Sequence, residues 1–295
     1  MRSPSQISLS RIVKCAVSLA VYLVSATQEI LLRLSNKVPP GKCVVLYYHS
    51  VPRNQRRLFA SQMDALLRHA RPVSLDTDIL LPLGAKTVAV TIDDAFENLL
   101  ENAIPELTRR RIPATIFAIT GALGKNFGGD SEPAERVMSA EQLKGLPLEL
   151  FTVGSHTVSH PFLPALGREA ARRELQDSRS QLSELLQRDV RLFSFPFGGH
   201  TRLLVNLCRE AGYRRVFTTL PGFAFDDPGE YIVGRVRVDP TDWPLEFFLK
   251  LQGAYRWLPW AFRLKQRILC SGIAKTLFSR RSNPPGMTIP RAVIQ

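Results

Sequence analysis

"TVAVTIDDAF", residues 87–96, is a short apolar run that ends in two adjacent carboxylates, Asp93 and Asp94. Its first six residues read as a buried strand, and its last few as the mouth of a sheet. Two acids at such a place are costly to bury unless each is paired or binds a metal. The rest of the chain should therefore hold their partners.

Around this stretch the pattern alternates. "CVVLYYHSV" (43–51) reads as the first strand of the folded domain. Residues 59–69 set Phe59, Met63, Leu66 and Leu67 on one helical face. "RPVSL" is a short strand, and residues 97–111 form a helix that Pro105 should break or kink. "ATIFAIT" (114–120) is a buried strand, Ser139 caps a short helix, and "LELFTVGSH" is another strand. The helix 169–187 points Leu175, Leu182, Leu185 and Leu186 inward. "VRLFSFPFG", a helix from Arg202, "YRRVFTT" and "IVGRVRV" (232–238) complete the series. Strand–helix alternation over about 200 residues predicts an α/β fold whose parallel sheet is closed, or nearly closed, into a barrel.

Partners for the aspartates stand in "GSHTVSHP" (154–161), where His156 and His160 are four residues apart. On one helical turn imidazoles at that spacing point the same way, and with one carboxylate they make a metal site with an open position. Hydrolysis at such a centre needs two acids in different jobs. One binds the cation, and the other takes a proton from the attacking water. Spacing alone does not say whether Asp93 or Asp94 does which. In "LFSFPFGG" (192–199), Pro196 stiffens a turn and Gly198 and Gly199 admit close backbone approach, giving N–H groups that can face an oxyanion.

The chain has 295 residues and a formal charge of +13, concentrated at its ends. Residues 1–42 carry six Lys or Arg against Glu29 alone, and no acid follows Glu246. No zinc-finger spacing, stacking motif or phosphate loop accompanies this charge, so the reading is a membrane surface and no nucleic acid. The four cysteines are far apart and make no disulfide framework. Residues 1–40 read as a basic, apolar leader or membrane-associated helix followed by the linker "NKVPPGK". The uncharged run Cys15–Gln28 is short for a span but suits a signal segment, with Val24-Ser25-Ala26 as a cleavage site, or a surface helix. Residues 41–245 would be the barrel. Residues 246–295 would be a basic aromatic extension, with Trp257, Trp260, Phe262 and Leu264 among cations including Lys275, Arg280, Arg281 and Arg291. Export or membrane association is expected over a cytoplasmic location.

Together these motifs resemble the polysaccharide deacetylase family, which includes the nodulation, peptidoglycan and chitin deacetylases. "TIDDAF" resembles its first motif, "HTVSHP" its second and "FSFPFG" its third, and the match runs over about residues 42–240. The opening "LYYHSV" is similar to a subgroup of exopolysaccharide, poly-N-acetylglucosamine-type deacetylases. The resemblance implies a distorted (β/α)7 TIM-like barrel, the NodB-homology fold. It makes Asp93 the general base and Asp94, His156 and His160 the ligands of a divalent metal, most simply Zn2+, with Co2+, Ni2+ or Mn2+ as alternatives. It also places the Phe197 N–H at the oxyanion.

Three departures carry consequences. Ala95 stands where the family has Gly, a mild change if the backbone is not left-handed. Ser194 replaces an Arg that orients the base, and Arg235 in "GRV" is the substitute cation. The late histidine that supplies the catalytic acid is missing, so either His49 or His200 takes over, or the metal and a water protonate the leaving amine, or catalysis is weak. Tyr48, with Tyr47 and Phe96, is a candidate for stacking on sugar rings. The implied activity is removal of N-acetyl groups from a polysaccharide, releasing acetate. A lipid-linked glycan as substrate, or a weakly catalytic sugar-binding role in polysaccharide assembly, are the alternatives.

Overall fold

The structure, a computed structural model, describes residues 9–270 apart from 78, 129–133 and 228, with side chains through residue 264. The tail cations Lys275, Arg280, Arg281 and Arg291 lie outside the described residues. The chain opens with helix α1 (Leu9–Leu34), then β1 (Lys42–Tyr48), α2 (Arg56–His69), β2 (Arg71–Pro72) and β3 (Lys86–Ile92). Two short helices follow, α3 (Leu99–Asn102) and α4 (Ile104–Arg109), separated just before Pro105, which occupies the first turn of α4. Next come β4 (Ala114–Ala118), the hairpin β5 (Asn126–Phe127) and β6 (Glu135–Arg136), α5 (Ala140–Lys144) and β7 (Phe151–Ser155). The series continues with α6 (Arg168–Leu186), β8 (Leu192–Ser194), α7 (Arg202–Glu210), β9 (Arg215–Phe217), β10 (Ile232–Val233) and β11 (Val236–Arg237). Helices α8 (Pro244–Leu251) and α9 (Leu258–Cys270) end the described chain.

Strands β10-β9-β8-β7-β4-β3-β1-β11 form one sheet, all parallel, with β2 beside the start of β3. The segment read as one last strand is split: Ile232–Val233 pairs with β9 and Val236–Arg237 with β1. One short segment thus meets both edges of the sheet, and counting it once gives seven strand positions, as in a distorted (β/α)7 barrel. The split falls at Gly234, where any Cβ would lie 2.1 Å from the Leu220 carbonyl oxygen. The next side chain, Arg235, is fully buried.

Strand parity sorts the core. Val44, Leu46 and Tyr48 of β1 face outward and pack with Phe59, Met63 and Leu66 of α2 and Phe247 of α8. Cys43 and Val45 face inward with Ala89, Phe117, Phe217 and Phe225. On α2 the buried stripe includes Gln62 instead of Leu67, which is 43% exposed. Gln62 accepts a hydrogen bond from Tyr48 and donates to the Asp239 carbonyl, so a polar residue takes the buried place. Likewise Leu185 of α6 is only half-buried, while Ala171 and Ser178 join Leu175, Leu182 and Leu186 inside.

Candidate active site

Asp93 follows the last residue of β3, and its N–H still donates to Tyr48 O on β1. Strand β3 therefore delivers a carboxylate to the barrel interior, where Asp93 is 3% exposed. Arg235, inserted by the closing strand, meets it with both ends of its guanidinium, 2.7 and 2.8 Å from the two carboxylate oxygens. The same guanidinium donates to Thr91 Oγ1, Ser194 Oγ and Thr218 O, and Tyr47 stacks over it at 4.7 Å. Burial pushes the Asp93 carboxyl up, but Arg235, with His156 and His49, outweighs it and holds the pKa at about 2.

Asp94 lies one residue on, and the chain turns sharply to aim it elsewhere: Asp94 and Ala95 have φ of 69° and 55°. Ala95 is thus in the left-handed region, so the Gly-to-Ala departure is not mild. Asp94 Oδ1 faces the Nε2 atoms of His156 and His160, at 3.5 and 3.6 Å, and the two nitrogens are 3.2 Å apart. His156 Nδ1–H donates to Ser194 O, which leaves Nε2 as a lone-pair donor. Burial holds His156 down at about 3 and His160 at about 4, so both are neutral, the ligating form, at pH 7.

The donor triangle fits a cation. A tetrahedral ion with bonds of about 2.0–2.1 Å separates its ligand atoms by about 3.3–3.4 Å, close to the three separations seen. Asp94, His156 and His160 are the group of potential metal ligands among the described residues. The histidines do not share a helical turn, as their spacing suggested. They flank a tight loop after β7 in which Thr157 and His160 have φ of 68° and 57°. Thr157 Oγ1 accepts from the His160 N–H, and Glu174 of α6 accepts from the N–H groups of Val158 and Ser159. Phe197 also has a positive φ, 59°. Five of the nine described non-glycine residues with positive φ thus lie at this site, a concentration of strain typical of a pre-formed centre.

Phe197 is 66% exposed and sets its ring 4.8 Å from that of His160, which also contacts Phe127 of β5 at 5.5 Å. The N–H groups of Gly198 and Gly199 are used inside the turn, on Phe195 O and Pro196 O. His49, half-buried beyond β1, is close enough for its charge to act on both Asp93 and His160. His200 instead bonds Gly198 O and packs on Phe195, held to its own loop.

The sugar-stacking role for Tyr48 is overturned. It is fully buried, its ring edge-on to Phe59 and its hydroxyl on Gln62, because parity turns it outward toward α2. Tyr47 caps Arg235, and Phe96 is buried beside Val137. The rings that contact a candidate ligand, His160, are Phe127 and Phe197. Thr91, Thr157 and Glu174 support the site without any signal in sequence spacing. Only their hydrogen bonds reveal them.

A family model described as polysaccharide deacetylase matches residues 81–216, which include Asp93, Asp94, His156 and His160. The solved structure of IcaB from Ammonifex degensii is 30% identical and superimposes with a TM-score of 0.62, covering 72% of this chain and 98% of that one. YxkH of Bacillus subtilis is 28% identical over 214 residues, 68% of this chain and 73% of its own length. The poly-beta-1,6-N-acetyl-D-glucosamine N-deacetylase of Staphylococcus aureus is 23% identical over 158 residues, and the match spans about half of its length.

Proposed function

This chain belongs to the polysaccharide deacetylase family and is a metal-dependent hydrolase of N-acetyl groups on a glycan, and we propose that its substrate carries N-acetylglucosamine-type units. One observation supports the reading most: a buried, arginine-clamped carboxylate stands next in sequence to a carboxylate facing two imidazoles. Asp94, His156 and His160 would hold a divalent cation, zinc by the nitrogen-rich donor set, which supplies Lewis acidity toward the acyl oxygen and the attacking water. Asp93 would take the proton of that water. Arg235 keeps it ionised and fixes its plane. The Phe197 N–H would donate to the oxygen that gains charge during attack. His49, near both Asp93 and His160, would enter protonated and donate its own proton to the departing amine nitrogen, while Asp93 gives up the water proton to solvent afterwards. His200 is engaged with Gly198 O and Phe195 in its own loop. The exposed Phe197 ring and the half-buried Phe127 ring, both beside His160, would contact the sugar. An exported or membrane-bound setting is supported by the apolar helix α1.

The test is acetate release from N-acetylglucosamine oligomers by zinc-reconstituted protein. Asp93→Asn should lower the rate by about 10²–10⁴-fold, the usual worth of a positioned base, while zinc still binds stoichiometrically. Equal rates in both proteins would sink the assignment of the base.

A further inference from the structure

Helix α1 is inside out. In a soluble helix the apolar stripe faces the core and the polar face meets water. Here Arg11, Cys15, Ser18, Tyr22, Ser25 and Glu29, spaced alternately by four and three residues, form the seam against the barrel. Arg11 pairs with Glu246, Ser18 accepts from Trp257 Nε1–H, Ser25 accepts from Arg256, and Glu29 pairs with Lys42. The opposite face presents Val13, Leu23, Val24, Ile30 and Leu31, each at least 49% exposed. No charge interrupts that face. Its one hydroxyl, Thr27, donates back to Leu23 O and so needs no water. The exposed cations Lys14 and Arg33 flank the seam, one on each side, and their long stems can reach from there toward the plane of the apolar face.

A spanning helix fits these facts poorly, although α1 is long and apolar enough to qualify by length and composition. Its uncharged run, Cys15–Gln28, extends about 21 Å at 1.5 Å per residue, against a hydrocarbon core of about 30 Å. Spanning would also strip Arg11 and Glu29 from their partners. A second copy of the chain would bring like-charged margins together. An anionic lipid surface instead matches both the apolar face and the flanking cations.

Orientation follows from the seam. Arg11 bonds Thr241 O and Glu246, beyond β11 at the catalytic end of the barrel. Glu29 reaches Lys42 and Lys86, the first residues of β1 and β3 at the opposite end. Helix α1 therefore runs the length of the barrel flank. We propose that the outer face of α1 lies in the interfacial plane of an anionic bilayer, with the barrel on its side and the catalytic mouth opening along the membrane surface.

The experiment is flotation of the full chain with vesicles of phosphatidylcholine containing phosphatidylglycerol, and with phosphatidylcholine alone. Wild type should float with the anionic vesicles and less with the neutral ones. The Leu23→Gln/Val24→Gln double variant should lose about tenfold or more in binding, with an unchanged circular dichroism melt. Failure of wild type to float would overturn the proposal, as would equal binding by the variant. So would a wild-type dimer in light scattering that the double variant dissociates, or resistance of the cellular protein to alkaline carbonate extraction, which marks a spanning helix. Acetate release from soluble oligomers should be the same in the double variant, so the catalytic assignment stands or falls separately.

Discussion

Asp93 at the centre of the barrel and Glu106 on helix α4 are both held at about 2 by arginine, through opposite arrangements. Asp93 has one guanidinium, and both partners are out of solvent: the side chains of Arg235 and Asp93 are 0% and 4% exposed. Burial works against its charge, so the pair survives through bidentate geometry and the further hydrogen bonds of Arg235. Glu106 is only 8% exposed, but it sits under the solvent-facing side chains of Arg109 and Arg56, 67% and 44% exposed, with Arg110 beside it. There hydrogen bonds, led by that of Arg110, lower the pKa. A low carboxylate pKa is common to both regions. What distinguishes the site is a wholly buried cationic partner together with neutral imidazoles beside the acid.

The largest test of that difference is Arg235→Ala. It leaves Asp93 buried without its cation, which should cost about 3–5 kcal/mol of stability in urea unfolding and abolish acetate release. Arg235→Lys restores a charge but no fork, and should recover stability more than rate. An Arg235→Ala protein that hydrolyses at the wild-type rate would erase the distinction between the two carboxylates.

Acid sharpens the comparison in two separate windows. An unfolded histidine takes up its proton near pH 6.5, whereas folded His156 and His160 resist until about pH 3 and 4. Between those values the unfolded state binds more protons, so metal-free stability must fall as pH falls from about 6.5 to 4. The slope is at most about 1.4 kcal/mol per pH unit for each histidine. Asp93 and Glu106 act lower: their contributions hold above about pH 4 and are lost as pH falls toward 2. Urea midpoints from pH 7 to 4 should show the upper window in wild type and a flatter curve in His156→Asn/His160→Asn. An unchanged slope would mean that the imidazoles are not buried as neutral groups.

The ligands were legible because their chemistry is concentrated in short runs, "DD" and "HTVSH", whose residue types have few other joint uses at a strand end. Arg235 was reachable only through the absence of a cation at Ser194, since its 142-residue separation from Asp93 carries no periodic signal. Tyr48 was misread because its role depends on strand parity: one register step exchanges the barrel interior for the α2 interface. Gln62 displaced Leu67 for a similar reason, since a hydropathy pattern does not register a buried amide satisfied by Tyr48 and the Asp239 carbonyl. The parallel, nearly closed sheet followed from alternation. The split of the closing strand did not, because it depends on the contact between Gly234 and Leu220 across the fold. The apolarity of α1 was equally plain, while the direction of its apolar face required the barrel beside it.

The smallest expected effect lies on the other side of the comparison. Glu106→Gln keeps the shape of the side chain and removes the charge from its three arginines. Arg110 retains Asp64, at 2.6 and 2.9 Å, and its own bond to the Glu106 carbonyl oxygen, while Arg56 and Arg109 turn to water. The loss should be about 1–2 kcal/mol, within the range for charge-assisted hydrogen bonds near a surface. Added salt should shrink it, because these groups are within reach of screening ions. Acetate release should be unaffected, since α4 packs outside the barrel and touches none of the ligands. A salt-insensitive loss, or a fall in rate, would mean that the arginine cluster communicates with the mouth through the β3–α3 turn that carries Asp94 and Ala95. In that case the two carboxylates would be parts of one network.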